Sequence, residues 1–301
     1  MCGKKFVCKE ANCYVPFEPK KQCTCDHVCN LKKEIREAVS GLEVDANEVL
    51  LASYAEGVQK PKRYKYDLEN RLFYNIGSGA FSGIFQGFPK QAAFQIASKP
   101  GDGHYLYKYE VVKKLPNGIL NKLCVDNIIA KWQDVPIGPK QSKDDKPDRY
   151  YAALRSASVR VANDASDEPG KNEVMRYSSE PYEKSFGIKI ELTVPSKNTR
   201  SHPASDMTKH LLDGVICAFH GEEGEETKKS VQKRFQKNGL NKDEIKKFFD
   251  KNSEQLNLFG NRNYLTKSSR WNPEDDRLQF GWIVVKCEGK AYKMSGSIYA
   301  W

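Results

Sequence analysis

Residues 186–221, FGIKIELTVPSKNTRSHPASDMTKHLLDGVICAFHG, decide how the chain is read. Phe186, Ile188, Ile190, Leu192 and Val194 alternate with Gly187, Lys189, Glu191 and Thr193, the period-two pattern of a strand. Pro195 stops it, and a basic loop holding Lys197, Arg200 and His202 follows. From Ser205 the period becomes helical. At 100° per residue, Asp206, Lys209 and Asp213 fall within about 60° of one another. Thr208, Leu211, Leu212, Val215 and Phe219 fall opposite, with Ile216 at the border. The spacing predicts an apolar stripe docked on a sheet and a charged stripe facing a surface or cleft, with His210 and His220 in solvent on the charged side. Gly221 ends the helix.

Working outward, residues 30–55 read as a helix broken at Gly41 and ended by Gly57 and Pro61. QKPKRYKY at 59–66 is a basic connector with interleaved tyrosines, and Lys62 and Arg63 in it could lie along phosphates. From residue 68 the pattern turns to strands and turns. GSGAFSG lacks the lysine of a phosphate-binding loop, which argues against a nucleotide site. HYLYKYEVV at 104–112 alternates as a strand, and RYYAALRSASVRVA at 149–162 reads as a helix. Residues 163–184 are polar and turn-rich. Residues 222–270 read as a lysine-rich helical insertion, with Asn241 and Glu244 forming a capping box. LQFGWIVVK at 278–286 and KAYKMSGSIYA at 290–300 read as a β-hairpin turning at Glu288-Gly289. These elements predict an α/β (α+β) fold, a mixed β-sheet with packed helices. Residues 1–60 would be a cysteine-rich segment and helix, and 61–301 a single domain carrying the insertion.

Composition narrows the function. The 301 residues are 39% hydrophobic and 11% aromatic, enough for a core, and 29% charged with a net charge of +10. Mean hydropathy is −0.69. No run of eighteen apolar residues exists, so no membrane span is expected. MCGKKFVCKE has no apolar h-region, so no signal peptide is expected and a cytoplasmic location is the default. Excess positive charge favours polyanions, nucleic acid first. Of the nine cysteines, six lie in the first 29 residues. Cys8 and Cys13, with two of Cys23, Cys25, His27 and Cys29, could hold a structural Zn²⁺, though the gaps match no standard finger. Free or redox-active thiols are the other reading.

Downstream, WNPEDDRLQFGWIVVK places Asp275 and Asp276 together just before a strand. Adjacent carboxylates there are costly unless a cation or solvent shields them. Carboxylates from a helix and a strand end are what hard Mg²⁺ takes, keeping waters and bridging to phosphate. Lys209 could balance charge on a scissile phosphate.

The order of strand IKIELTVP, loop SKNTRSHP, helix SDMTKHLLDGV, pair PEDDRLQFGWIVVK and a last strand resembles the RusA family of Holliday-junction resolvases. The resemblance covers about 186–221 and 271–300. It implies a dimeric α/β endonuclease that uses Mg²⁺ and clustered aspartates to nick four-way DNA junctions. Lys209 and Asp213 fit the K-x-x-x-D part of the family helix, and Asp275 and Asp276 its D-D pair. Pro203 and Ser205 stand where the family has aspartates, and Asp206 where it has Asn. On this reading Asp206, Asp213, Asp275 and Asp276 hold Mg²⁺, Lys209 contacts the scissile phosphate, and Lys197, Arg200, His202, Lys62 and Arg63 bind the DNA backbone. Two-fold junctions imply a homodimer. A restriction-type set of Asp275 or Asp276 with Glu288 and Lys290 is a second nuclease reading. The missing aspartates leave a non-catalytic nucleic-acid-binding or adaptor module as the alternative.

Overall fold

The computed structural model describes residues 6–11, 26–45, 47–56, 68–74, 76–77, 81, 90–96, 105–113, 127–138, 146–162, 164, 166–195, 204–221, 224–250, 255–261, 265, 271 and 277–301. In chain order these form β1 (Phe6–Ala11), α1 (Asp26–Ser40), β2 (Glu48–Glu56), a π-helical turn (Asn70–Tyr74), β3 (Lys90–Ile96), β4 (Tyr105–Lys113) and β5 (Ile128–Pro136). Then come α2 (Lys146–Ser156), β6 (Ser158–Val161), β7 (Glu173–Arg176), β8 (Phe186–Val194) and α3 (Ala204–Ala218). The chain ends with α4 (Gly224–Lys237), α5 (Lys242–Asp250), β9 (Leu278–Cys287) and β10 (Lys293–Ala300). This is the mixed α/β content expected from the sequence. The elements divide between two compact units, one of 1–123, 198–209 and 278–287, the other of 124–197, 210–277 and 288–301. The boundary expected near residue 60 falls inside the first.

In the first unit the strands run β1-β4-β2-β3-β9. β2 and β3 are parallel, and the other neighbours are antiparallel. Alternation gives the sheet two apolar faces. On one, Val49, Leu51, Ala93, Phe280, Trp282 and Val284 cluster, with Val112 against them. On the other, Tyr54, Phe94, Tyr107 and Tyr109 are buried together with Phe73 and Phe81. The Phe73 ring lies 5.2 Å from Phe81 and 6.0 Å from Phe94. Gly281 lets the Phe94 ring lie directly on β9, where any Cβ would overlap it. Two sequence expectations fail here. Residues 48–55 are strand, not the end of a helix: the run VLLASYA is apolar on both sides, and a strand of this sheet buries both faces. Residues 68–74 are helical, not strand.

In the second unit the order is β8-β10-β5-β7-β6. Only β6 and β7 are parallel. β8 shows the predicted alternation, with Ile188, Ile190, Leu192 and Val194 buried and Lys189, Glu191 and Thr193 half-buried. Both edges of β10 are taken, by β8 and by β5, so the expected β9–β10 hairpin does not form. Gly296 in β10 meets the Trp132 indole and the Lys189 carbonyl, leaving no room for a Cβ. The helix expected over 149–162 stops at Ser156, and 158–161 are strand β6: the β-branched SVRV pairs with β7. The capping box at the start of α5 is present. Asn241 N–H donates to Glu244 Oε2 at 3.0 Å, and Glu244 N–H to Asn241 Oδ1 at 2.8 Å.

Candidate functional site

The charged groups on α3 and just past its end differ in their environments. Leu211, Leu212, Val215, Ile216 and Phe219 are all buried, as the apolar stripe predicts. Lys209 keeps about a quarter of its side chain in water, and its Nζ lies 3.7 Å from Glu69 Oε1. Asp213 is only 7% exposed, which corrects the expectation of a solvent-facing stripe. Next to it in the second unit, α2 packs tightly on α3 at Gly214, where a Cβ would overlap the Pro147 carbonyl and Tyr150. His220 is also buried rather than in solvent. It lies past the helix end with its ring 5.6 Å from Phe259, and its carbonyl accepts a hydrogen bond from the buried Arg155.

Glu69 is the acidic residue that sequence reasoning missed. It is 1% exposed, as is Arg71 two residues on, whose guanidinium lies 5.5 Å from the Tyr54 ring. The helical turn that carries them is tied to the sheet by Tyr109, whose hydroxyl donates to the Leu72 carbonyl at 2.7 Å. A helical reading of DLENRLFYNIG holds the missing signal. Glu69, Leu72, Phe73 and Ile76 are at i, i+3, i+4 and i+7, so the carboxylate shares the buried face. Burying a carboxylate is tolerated where a cation and hydrogen bonds compensate its desolvation. Lys209 is such a cation, and the pair fixes the lysine on the charged side of α3.

A second buried carboxylate, Asp148, is built differently. It accepts from Arg234 Nε at 2.6 Å, from Trp271 Nε1 at 2.7 Å and from Asn238 Nδ2. Burial pushes its carboxyl above the usual carboxylate range, against the pull of Arg234, Trp271 and Asn238. Held by these three donors, Asp148 is a strut between α2 and α4.

The remaining expected residues are placed as follows. Asp206 lies in the first turn of α3. Asp275, Asp276, Lys197, Arg200, His202, Lys62 and Arg63 lie outside the described residues, as do Cys13, Cys23 and Cys25. Cys8 lies in β1, in register with Lys108. Cys29, in α1, is disulfide-bonded, so its sulfur is not a thiolate offered to zinc. Glu288 and Lys290 are exposed between β9 and β10. Among the described residues, no three His, Cys, Asp or Glu side chains gather as a metal site would need. No helix of the described residues is long and apolar enough to cross a membrane. No family model, curated protein or solved structure matches the chain.

Proposed function

We propose that the chain is a divalent-metal-dependent endonuclease acting on branched or structured DNA, with Lys209 at its reactive face. The observation that supports this best is the ion pair between the buried Glu69 and the half-buried Lys209. A lysine fixed by a buried carboxylate, yet open to solvent on one side, is suited to hold a phosphate oxygen. The net charge of +10 draws the polyanion to it. The carboxylates read from the sequence, Asp206, Asp213, Asp275 and Asp276, have the hard oxygen donors that Mg²⁺ takes. A bound Mg²⁺ would supply Lewis-acid polarisation of the phosphate. DNA as substrate goes with a cytoplasmic site of action, and a two-fold four-way junction suits a homodimer.

The test is incubation of the purified chain with a synthetic four-way junction and Mg²⁺. Wild type should nick it. Asp276→Asn should abolish nicking while junction binding persists, and Lys209→Ala should slow nicking by about a hundredfold, as loss of one charge-stabilising donor does. Undiminished cutting by Asp276→Asn would refute the metal assignment. Binding by wild type without any cutting would leave the adaptor reading.

A further inference from the structure

Helix α4 has three distinct sides. Thr227, Val231 and Phe235, spaced four apart, are buried, with the Phe235 ring 5.9 Å from Tyr151 of α2. Beside this stripe, Arg234 and Asn238 grip Asp148 and fix the rotation of the helix. Lys229, Lys233 and Lys237 each follow a buried residue by two positions, which puts them about 200° round the helix. All three are exposed. Among the described residues none of them has an ion-pair partner, whereas Lys228 meets Glu225 at 3.7 Å.

Local energetics do not account for this stripe. Like charges at i, i+4 destabilise a helix by tenths of a kcal/mol per pair. The helix dipole favours a cation only in the last turn, which rewards Lys237 and not Lys229 or Lys233. The acidic residues of α4, Glu225 and Glu226, sit in the first turn, within one turn of Lys229 but two or more turns from Lys233 and Lys237, and Glu225 meets Lys228, so they account for neither Lys233 nor Lys237. A row of cations about 6 Å apart and about 12 Å long suits an external polyanion. A DNA strand presents a phosphate every ~3.4 Å of axis over that length. A lipid surface fits less well, because an interfacial helix needs a free apolar face and that of α4 is already buried.

We propose that Lys229, Lys233 and Lys237 form a contact surface for the phosphate backbone of duplex DNA, independent of base sequence. The inference rests on the nucleic-acid reading above but not on cutting. The test compares the full chain with K229A/K233A/K237A for binding to a labelled duplex between about 50 and about 200 mM salt. Alanine keeps helix propensity, and thermal melting checks the fold. Each lost phosphate contact lowers the slope of log affinity against log salt by about 0.9, so three lower it by about 2.7. Wild type should therefore lose about 40-fold more affinity than the variant across this fourfold salt range. K229Q/K233Q/K237Q should match the alanine variant, which guards against a folding effect. Equal slopes in a folded variant would overturn the surface while leaving DNA binding intact. No duplex binding by wild type would overturn both. Loss of binding only to phosphatidylserine vesicles or to a polyglutamate peptide would assign the stripe to another partner and end the proposal.

Discussion

Residues 68–77 and 207–216 are helical at their starts and bury matching positions with different chemistry. Leu68, Leu72, Phe73 and Ile76 in the first correspond in spacing to Met207, Leu211, Leu212 and Val215 in the second, and all but the half-buried Met207 are inside. Glu69 and Thr208 stand at the same place and are both 1% exposed. Each segment follows a strand, β2 or β8, that has an antiparallel partner later in the chain, β4 or β10. In the second segment Lys209 and His210 lie half-buried on the outer side, so the apolar period stands out. In the first, Glu69 and Arg71 lie on the inside and break that period, and the stretch reads as strand and turn. One burial pattern can be written with a neutral residue at its polar position or with a carboxylate that requires a cation from elsewhere, here Lys209.

Exchanging the two chemistries at the shared position tests this directly. Glu69→Ala should cost about 3 kcal/mol in urea unfolding, the low end for breaking a buried pair, since Lys209 keeps part of its surface in water. Thr208→Ala should cost only about 1 kcal/mol, the net worth of a hydroxyl hydrogen bond. Equal costs would mean that the ion pair adds nothing beyond packing and would remove the distinction between the segments.

The contrast between Glu69 and Asp148 gives the next effect. Asp148 has three donors, yet burial still holds its carboxyl above the ordinary range. The folded chain thus holds the Asp148 proton more tightly than the unfolded chain. The stability this confers is fully present below the unfolded pKa and is lost as pH rises through the folded pKa. Asp148→Asn does not titrate. It should cost about 1–3 kcal/mol in acid, where donor geometry is disturbed, and less as pH rises toward neutrality. Thermal unfolding of both proteins across that range reads the difference. A gap that widens with pH would show that the Arg234 pair outweighs desolvation, making Asp148 more like Glu69 than the burial of its carboxyl indicates.

These residues also show where the sequence was legible. Period-two runs such as FGIKIELTV and YLYKYEVV became strands because one set of side chains is buried and the other is half-wet. The apolar stripe of α3 and the lysine-rich helices α4 and α5 were legible for the same reason. Residues 48–56 were not, because a strand buried on both faces carries no period to distinguish it from a helix. Pairing was hidden as well: β9 and β10 look like a hairpin, but β10 takes β8 and β5 as neighbours, a choice made by tertiary contacts far along the chain. At the candidate site Lys209 was legible as a surface charge. Its partner Glu69 was not, because the cation that compensates this carboxylate is 140 positions away.

The smallest effect concerns how a helix announces its start. α5 begins with a reciprocal box in which Asn241 and Glu244 each satisfy the other's backbone N–H. The helical turn at 68–74 has no such pair in its sequence and depends on Tyr109 and on the packing of Leu72 and Phe73. Local capping should therefore matter for α5 and tertiary anchoring for the turn. Asn241→Ala should cost about 1 kcal/mol, and backbone amide exchange should speed up in the first turn of α5. Tyr109→Phe keeps the ring but removes the donor to the Leu72 carbonyl, and should cost a similar ~1 kcal/mol while speeding exchange at 68–74 instead. If Asn241→Ala leaves exchange in α5 unchanged, the box is only geometry, and α5 is held as the turn is, by the burial of Ile245.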